Sequence, residues 1–301
     1  MNNIIKMLKG MLIGVGAILP GVSGGMIAAA FNIYDKLIEA LDMLTSRPIK
    51  AMLSIWQYLV GIGIGILVGF LLISTIFMWI PIPATLLFIG LILGGVKEIY
   101  RQGFDRLEVR GFMISGIAFL VMIAFSFMEF TAPTASNTSW YLWIIVGILL
   151  TISLIVPGLS GSMLLMMIGF YIPMLDLGHD LIDAVLAFDF NTIWALLPQA
   201  LFVLLGLVIA FVGLGKLLNL VLKKFPKIFF QIVLGIIIAS PINIIVSLNQ
   251  ELKLDHIDIF NIEQQWWMWL IGLALFPLGF YIARLFTKEE HETEENQGSN
   301  I

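Results

Sequence analysis

The sequence predicts an all-α polytopic membrane protein built from two inverted repeats, each a re-entrant helical hairpin followed by three transmembrane helices. Three observations lead there. The 301 residues are 60% hydrophobic and 12% charged, with a mean hydropathy of +1.02, whereas a soluble globular domain carries about 25% charged residues. A Pro-Gly-x-Ser-Gly motif occurs once in each half of the chain. The basic residues fall almost entirely on one side of the membrane when the chain is threaded through it in this way.

The elements follow in chain order. The first repeat, 1–128, holds a hairpin over 10–34 and spans at about 53–79, 84–97 and 111–128. The second, 129–288, holds a hairpin over 141–175 and spans at about 193–215, 228–247 and 266–286. Each span supplies roughly the 20 apolar residues a bilayer crossing needs. A hairpin arm of about 10 residues reaches roughly 15 Å at 1.5 Å per residue, half a bilayer, so the chain turns back. Residues 289–301 form an acidic tail, with Glu289, Glu290, Glu292, Glu294 and Glu295, read as disordered. The N-terminal segment resembles a signal peptide in charge and apolarity. Pro20 and Gly21 interrupt it, however, and the same pattern recurs inside the chain, so it is read as part of the protein.

The repeat shows in one register. With Gly10 over Gly147, Pro20 meets Pro157, Gly21 meets Gly158, Ser23 meets Ser160, Gly24 meets Gly161 and Tyr34 meets Tyr171. After a longer loop the register resumes with Gly61 over Gly206 and Gly90 over Gly235. Three crossings per half is an odd number, so the second half enters from the opposite face.

Charge sets the orientation. Lys6, Lys9, Lys36, Arg47, Lys50, Lys97, Arg101, Arg106, Arg110, Lys216, Lys223, Lys224, Lys227, Arg284 and Lys288 fall inside, and Lys253 alone outside, so 15 of 16 basic residues are cytoplasmic and both termini with them; the rival threading, with the N-terminus alone outside, misplaces only Lys6 and Lys9. Trp79, Trp140, Trp143, Trp194, Trp266, Trp267 and Trp269 fall at the outer interface, where amphipathic rings settle.

The hairpin tips are the candidate binding site: Pro20, Gly21, Ser23, Gly24, Gly25 and Tyr34 in the first, Pro157, Gly158, Ser160, Gly161, Ser162 and Tyr171 in the second. Proline stops the incoming arm and glycine permits the turn. The serine then caps a new half-helix, whose first amides have no intrahelical partner. Such amides cost several kcal/mol each in hydrocarbon, and their positive dipole end suits an anion, phosphate above all. The competing reading is a kink at a helix crossing; recurrence in matched positions favours a transport site.

Other features carry less. Gly61, Gly65 and Gly69 have the spacing of close helix packing. Asp176, His179, Asp180 and Asp183 share one face of an outer segment, read as solvated and not as a metal site. Gly14 and Gly16 lack the strand context of a nucleotide motif. Lys36, Lys97 or Arg101 could meet a phosphate at the inner face. No Cys is present, no basic arm suggests nucleic acid, and no catalytic residue, metal or cofactor is expected. Neither hairpin holds a deep Asp, Glu, His, Lys or Arg, which a hydrolase would need.

At Leu19-Pro20-Gly21-Val22-Ser23-Gly24-Gly25 with Ile33-Tyr34-Asp35, and at Val156-Pro157-Gly158-Leu159-Ser160-Gly161-Ser162, the chain resembles the PopT-type polyprenyl-phosphate transporters, formerly a domain of unknown function. The resemblance covers nearly everything but the acidic tail. Met26 stands where a small Thr is expected, which removes a hydroxyl there. The resemblance implies a bacterial plasma-membrane flippase that returns undecaprenyl phosphate from the outer to the inner leaflet, for peptidoglycan and other envelope polymers. Its partners would be the polyprenyl-phosphate lipid and the bilayer, with H+ or Na+ as the candidate coupling ions. Alternatives are an integral membrane enzyme like the undecaprenyl pyrophosphate phosphatases and a passive anion channel.

Overall fold

The computed structural model describes residues 3–18, 22–44, 46–72, 79–127, 139–159, 161–254, 259 and 262–298, and among them the structure is helical, with no strand. The first hairpin region comprises α1 (Asn3–Ile18), α2 (Gly24–Ala30) and α3 (Tyr34–Met43). Then come α4 (Pro48–Ser54) and α5 (Trp56–Leu72), bent by 73° where they meet. Next are α6 (Pro81–Gly94), started by prolines that need no amide partner at a helix N-terminus, α7 (Val96–Gly103) and α8 (Val109–Ser126).

The second half of the chain opens with α9 (Trp140–Ile155), the short α10 (Gly161–Met167) and α11 (Tyr171–Leu186). The long helix α12 (Phe190–Lys224) follows. Asp189 caps it, accepting from the amides of Asn191 at 3.1 Å and Thr192 at 3.3 Å. The Thr192 hydroxyl and these amides hold the exposed Asp189 carboxyl below its usual range. Last are α13 (Pro226–Leu254) and α14 (Ile262–Gly298).

Among the described residues, five helical stretches are long and apolar enough to cross a membrane, Pro81–Gly103, Val109–Ser126, Phe190–Lys224, Pro226–Gln250 and Gln265–Phe286, and the bent pair of α4 and α5 makes a sixth if it forms one span. Large apolar side chains face outward from them, among them Leu67, Ile117, Val121, Val208, Leu270 and Leu273. In water this would be costly; against lipid tails it is not.

Packing is through small residues. Helix α1 lies on α5 with Gly10 and Gly61 in backbone contact: a methyl group on Gly61 would stand 2.1 Å from the Met7 carbonyl oxygen. Helix α9 lies on α12 in the same manner, and a methyl on Gly206 would stand 2.1 Å from the Ile144 carbonyl oxygen, with Gly147 opposite. Between the halves, Gly90 of α6 meets Phe276 of α14, and Gly235 of α13 meets Ser115 of α8. Lipid gives apolar helices no hydrophobic reason to associate, so close backbone approach is what holds them. A large buried cluster runs through α2, α3, α6, α7 and α13, and a smaller one joins α9, α11 and α12.

Two expectations need revising. Trp143 is not an interfacial anchor: it is 3% exposed and packs edge-on against Phe170, ring centres 5.3 Å apart. Its place on the inward face of α9 overrides the general preference of Trp for interfaces. Helix α14 also continues through the acidic segment to Gly298, because a run rich in Glu propagates a helix that is already nucleated; 299–301 lie outside the described residues.

Candidate functional site

The first tip is built around Ser23. Its backbone is extended (φ −108°, ψ 134°), as an N-cap requires, and its Oγ accepts from the Gly25 amide at 3.3 Å. The same hydroxyl donates across the halves to the Ser153 carbonyl oxygen at 2.7 Å. The Tyr34 hydroxyl donates to the Ile155 carbonyl oxygen at 2.9 Å. Ser153 and Ile155 end α9, where carbonyls have no further helical turn to receive them. Their partners therefore come from the first half. Ser23 is 3% and Tyr34 4% exposed.

Glycine makes this approach possible at Gly25, where an added methyl would stand 2.6 Å from the Ile155 carbonyl oxygen. Gly24 faces α1 with more room, its nearest contact being Ile13 Cγ2 at 3.2 Å. The N-terminus of α2 thus abuts the C-terminus of α9, positive dipole end against negative.

The second tip is held differently. Gly158 has φ +87°, a conformation natural to glycine. Its carbonyl accepts from Asn243 Nδ2 of α13 at 3.0 Å, and Asn243 Oδ1 accepts from the Ser126 hydroxyl of α8 at 2.9 Å. Asn243 and Ser126 are both fully buried. Gly161 packs on Ser153, whose Oγ would stand 2.8 Å from an added methyl. Pro157 lines a cavity of about 460 Å³ with Leu159, Met122, Phe125, Ile232 and Ile236.

The structure thus brings Ser23, Gly25 and Tyr34 to one place, beside the end of α9, and sets Pro157 and Gly158 against α8 and α13. Tyr171, half-buried, opens α11 and belongs to the smaller cluster. Pro20, Gly21 and Ser160 lie outside the described residues, as does the side chain of Ser162. Ser23, read as a hydroxyl donor to phosphate, and Tyr34, read as part of the binding site, here give their hydroxyls to backbone carbonyls of α9. Met26 is fully buried, so its position is one of packing.

Sequence reasoning missed several polar groups. Asn243, Ser126 and Ser153 each stand within an apolar helix, and that isolation was the available signal. Lys9, read as an inner flanking charge, is fully buried, and its Nζ donates to the Phe31 carbonyl oxygen at the end of α2 at 3.1 Å. A cation there complements the helix dipole. Past that end Asn32 has φ +59°, and Gly169, its match in the repeat register, has φ +73°. Asp176, His179, Asp180 and Asp183 are exposed on α11, and the described residues contain no group of three metal-ligating side chains close enough to hold an ion.

Comparison with known proteins places the chain among polyprenyl-phosphate transporters by sequence similarity. A polyprenyl-phosphate transporter of Vibrio cholerae is 27% identical over 255 residues, covering 80% of this chain and 77% of that protein. A polyprenyl-phosphate transporter of Staphylococcus aureus is 25% identical over 303 residues, covering 96% of this chain and 98% of that protein. No solved structure matches. The profile of the undecaprenyl phosphate translocase-like family matches residues 13–257, and the chain belongs to that family.

Proposed function

We propose that the protein is a flippase that moves undecaprenyl phosphate, or a related polyprenyl phosphate, from the outer to the inner leaflet of the bacterial plasma membrane, recycling the carrier for peptidoglycan and other envelope polymers. It acts as a transporter and not as an enzyme, and a proton or sodium gradient is the candidate drive. The observation that carries this reading is the junction of the two halves, where Ser23 and Tyr34 bond to the last carbonyls of α9.

A phosphate headgroup is the part of the substrate that resists crossing, since moving such an ion into a medium of low dielectric costs of order 20 kcal/mol in the idealised limit. The isoprenoid chain stays in lipid throughout. The protein therefore has to offer a polar path at the midplane, open sideways to the bilayer. Two re-entrant tips entering from opposite faces would provide it, each exposed in turn. Opening the junction frees the Ser23 hydroxyl and the α2 amides for phosphate oxygens, while water takes up the α9 carbonyls. The inverted-repeat reading is supported by the matched glycine contacts, Gly10 with Gly61 and Gly147 with Gly206, and by the crosswise pairing of α6 with α14 and α13 with α8.

Vesicles containing the purified protein and a polyprenyl-phosphate probe of readable leaflet test the function: transfer is expected, with no release of inorganic phosphate from undecaprenyl pyrophosphate. Ser23→Ala and Ser160→Ala should each weaken probe binding roughly ten- to hundredfold, the worth of a charge-assisted hydrogen bond of about 1.5–3 kcal/mol. The double variant should depart from additivity, because both tips address one ligand. Parental binding in all three would reduce the motifs to helix-packing kinks.

Both termini are assigned to the cytoplasm. In intact cells a Cys at Asn191 should react with an impermeant external reagent, and a Cys at Ser46 should not. External labelling at position 46 would refute the re-entrant first hairpin.

A further inference from the structure

Helix α12 has 35 residues, so at 1.5 Å per residue it extends roughly 52 Å, well beyond a hydrocarbon core of about 30 Å. Its last turns therefore lie at the headgroup level, on the face assigned to the cytoplasm. There it packs on α3, and between them is a cavity of about 480 Å³ lined by Asp42, Lys216, Asn219, Leu220, Lys223 and Lys224. Lys216, Asn219 and Lys223 recur at helical spacing and so share one face of α12. Asn219 is 5% exposed, and its Nδ2 donates to Asp42 Oδ2 at 2.5 Å.

We propose that this cavity is a site for a phosphate monoester, the inner-face station that holds the headgroup of the transported lipid. It rests on the transport reading above. Three lysines and one carboxylate leave a surplus of two positive charges. A phosphate monoester at neutral pH carries about −1.5 to −2, so head and cavity neutralise each other. Asp42 adds selectivity. Held by Asn219, its carboxylate can accept the proton of a singly ionised monoester, whereas a phosphodiester headgroup has no phosphate proton to offer and meets only repulsion. The lysines alone would take any anionic lipid; the carboxylate among them favours the monoester.

The neighbouring space fits the rest of such a molecule. A second cavity, about 290 Å³, continues along the same seam, lined by Leu37, Ile38 and Leu41 of α3, Phe211 of α12, and Gly24 and Gly25 of the first tip. Leu41, which lines the apolar cavity, is next in the chain to Asp42 of the basic one and packs on Gly215, a methyl on which would stand 2.8 Å from Leu41 Cβ. A basic chamber at the interface and an apolar one leading to the tip suit a ligand with an anionic head and a hydrocarbon tail.

The test uses the full chain, purified in detergent, with undecaprenyl phosphate, undecaprenol, phosphatidylglycerol and inorganic phosphate as separate probes. The parent should bind undecaprenyl phosphate at least tenfold more tightly than each of the other three. Lys216→Gln/Lys223→Gln/Lys224→Gln should lose tenfold or more of that affinity while keeping its affinity for undecaprenol. Asp42→Asn should narrow the gap between undecaprenyl phosphate and phosphatidylglycerol. If the triple variant is not monodisperse, Lys216→Gln alone should show a loss of about threefold. Parental affinity in the lysine variants would overturn the proposal. So would an equal loss for phosphatidylglycerol, which marks a general positive patch, or equal affinity for inorganic phosphate, which marks a site for the soluble ion. The transport reading fails separately: if the parent moves no probe between leaflets but binding still depends on the lysines, the site stands and that reading falls.

Discussion

Gly25→Val is expected to abolish transfer of polyprenyl phosphate, a loss of a hundredfold or more in a leaflet-resolved vesicle assay. The added Cβ would stand 2.6 Å from the Ile155 carbonyl oxygen and 3.2 Å from that of Leu154. Both obstacles are backbone, so neither can turn aside as a flexible side chain would. Helix α2 must move off the end of α9, and the Ser23–Ser153 and Tyr34–Ile155 hydrogen bonds go with it. Overpacking alone costs typically 1–3 kcal/mol, and each carbonyl left without a partner about 1–3 kcal/mol more. Gly63→Ala, on α5 and away from the tips, is the control. Its Cβ would meet nothing within 4 Å, so transfer should stay within a few-fold of the parent. Parental transfer by Gly25→Val would show that the junction of the two halves takes no part in transport.

Asn243→Leu should lower both the thermal midpoint and the transfer rate. Leucine keeps the volume but cannot donate to the Gly158 carbonyl, which Asn243 Nδ2 meets at 3.0 Å, nor accept from Ser126, now 2.9 Å from Oδ1. Both positions are fully buried, so no water replaces the lost partner, and the stranded carbonyl costs about 1–3 kcal/mol. At 1.4 kcal/mol per factor of ten, the properly formed second tip should become roughly tenfold or more scarce. Asn243→Asp separates donor from acceptor, because it can still accept from Ser126 but does not give Gly158 its amide. A variant with leucine at 243 and parental midpoint and transfer would reduce this network to simple packing.

Much of the architecture was legible in the sequence because the bilayer imposes it. A run of about 20 apolar residues has few alternatives to a membrane helix, since its backbone groups must find partners within the segment. The Pro-Gly-x-Ser-Gly motif likewise dictates a break followed by a capped helix start, and Ser23 is the N-cap of α2. The glycines that set the repeat register, Gly10 with Gly61 and Gly147 with Gly206, are those that touch between helices, because only residues without side chains allow such contact.

Partnership was not legible. Ser23 bonds to a carbonyl 130 positions away, and the signal for that partner is a missing helical turn after Ile155, which has no side chain of its own. Lys9 looked like a flanking charge because a lysine next to an apolar run usually is one; only its contact with the Phe31 carbonyl shows that it closes the end of α2. Asn243 and Glu98 are buried polar residues whose value depends on what lies opposite, and composition cannot supply that. The sequence by itself therefore determined that the chain is built of apolar helices, the break and cap at Ser23, and the glycine contacts that pack, all of which follow from local backbone chemistry and hydropathy. Only the tertiary structure decided which orphaned backbone groups meet which side chains, because hydrogen-bond partners in a membrane core are assigned by proximity in space, where every unsatisfied group must take whatever donor or acceptor the fold places within reach.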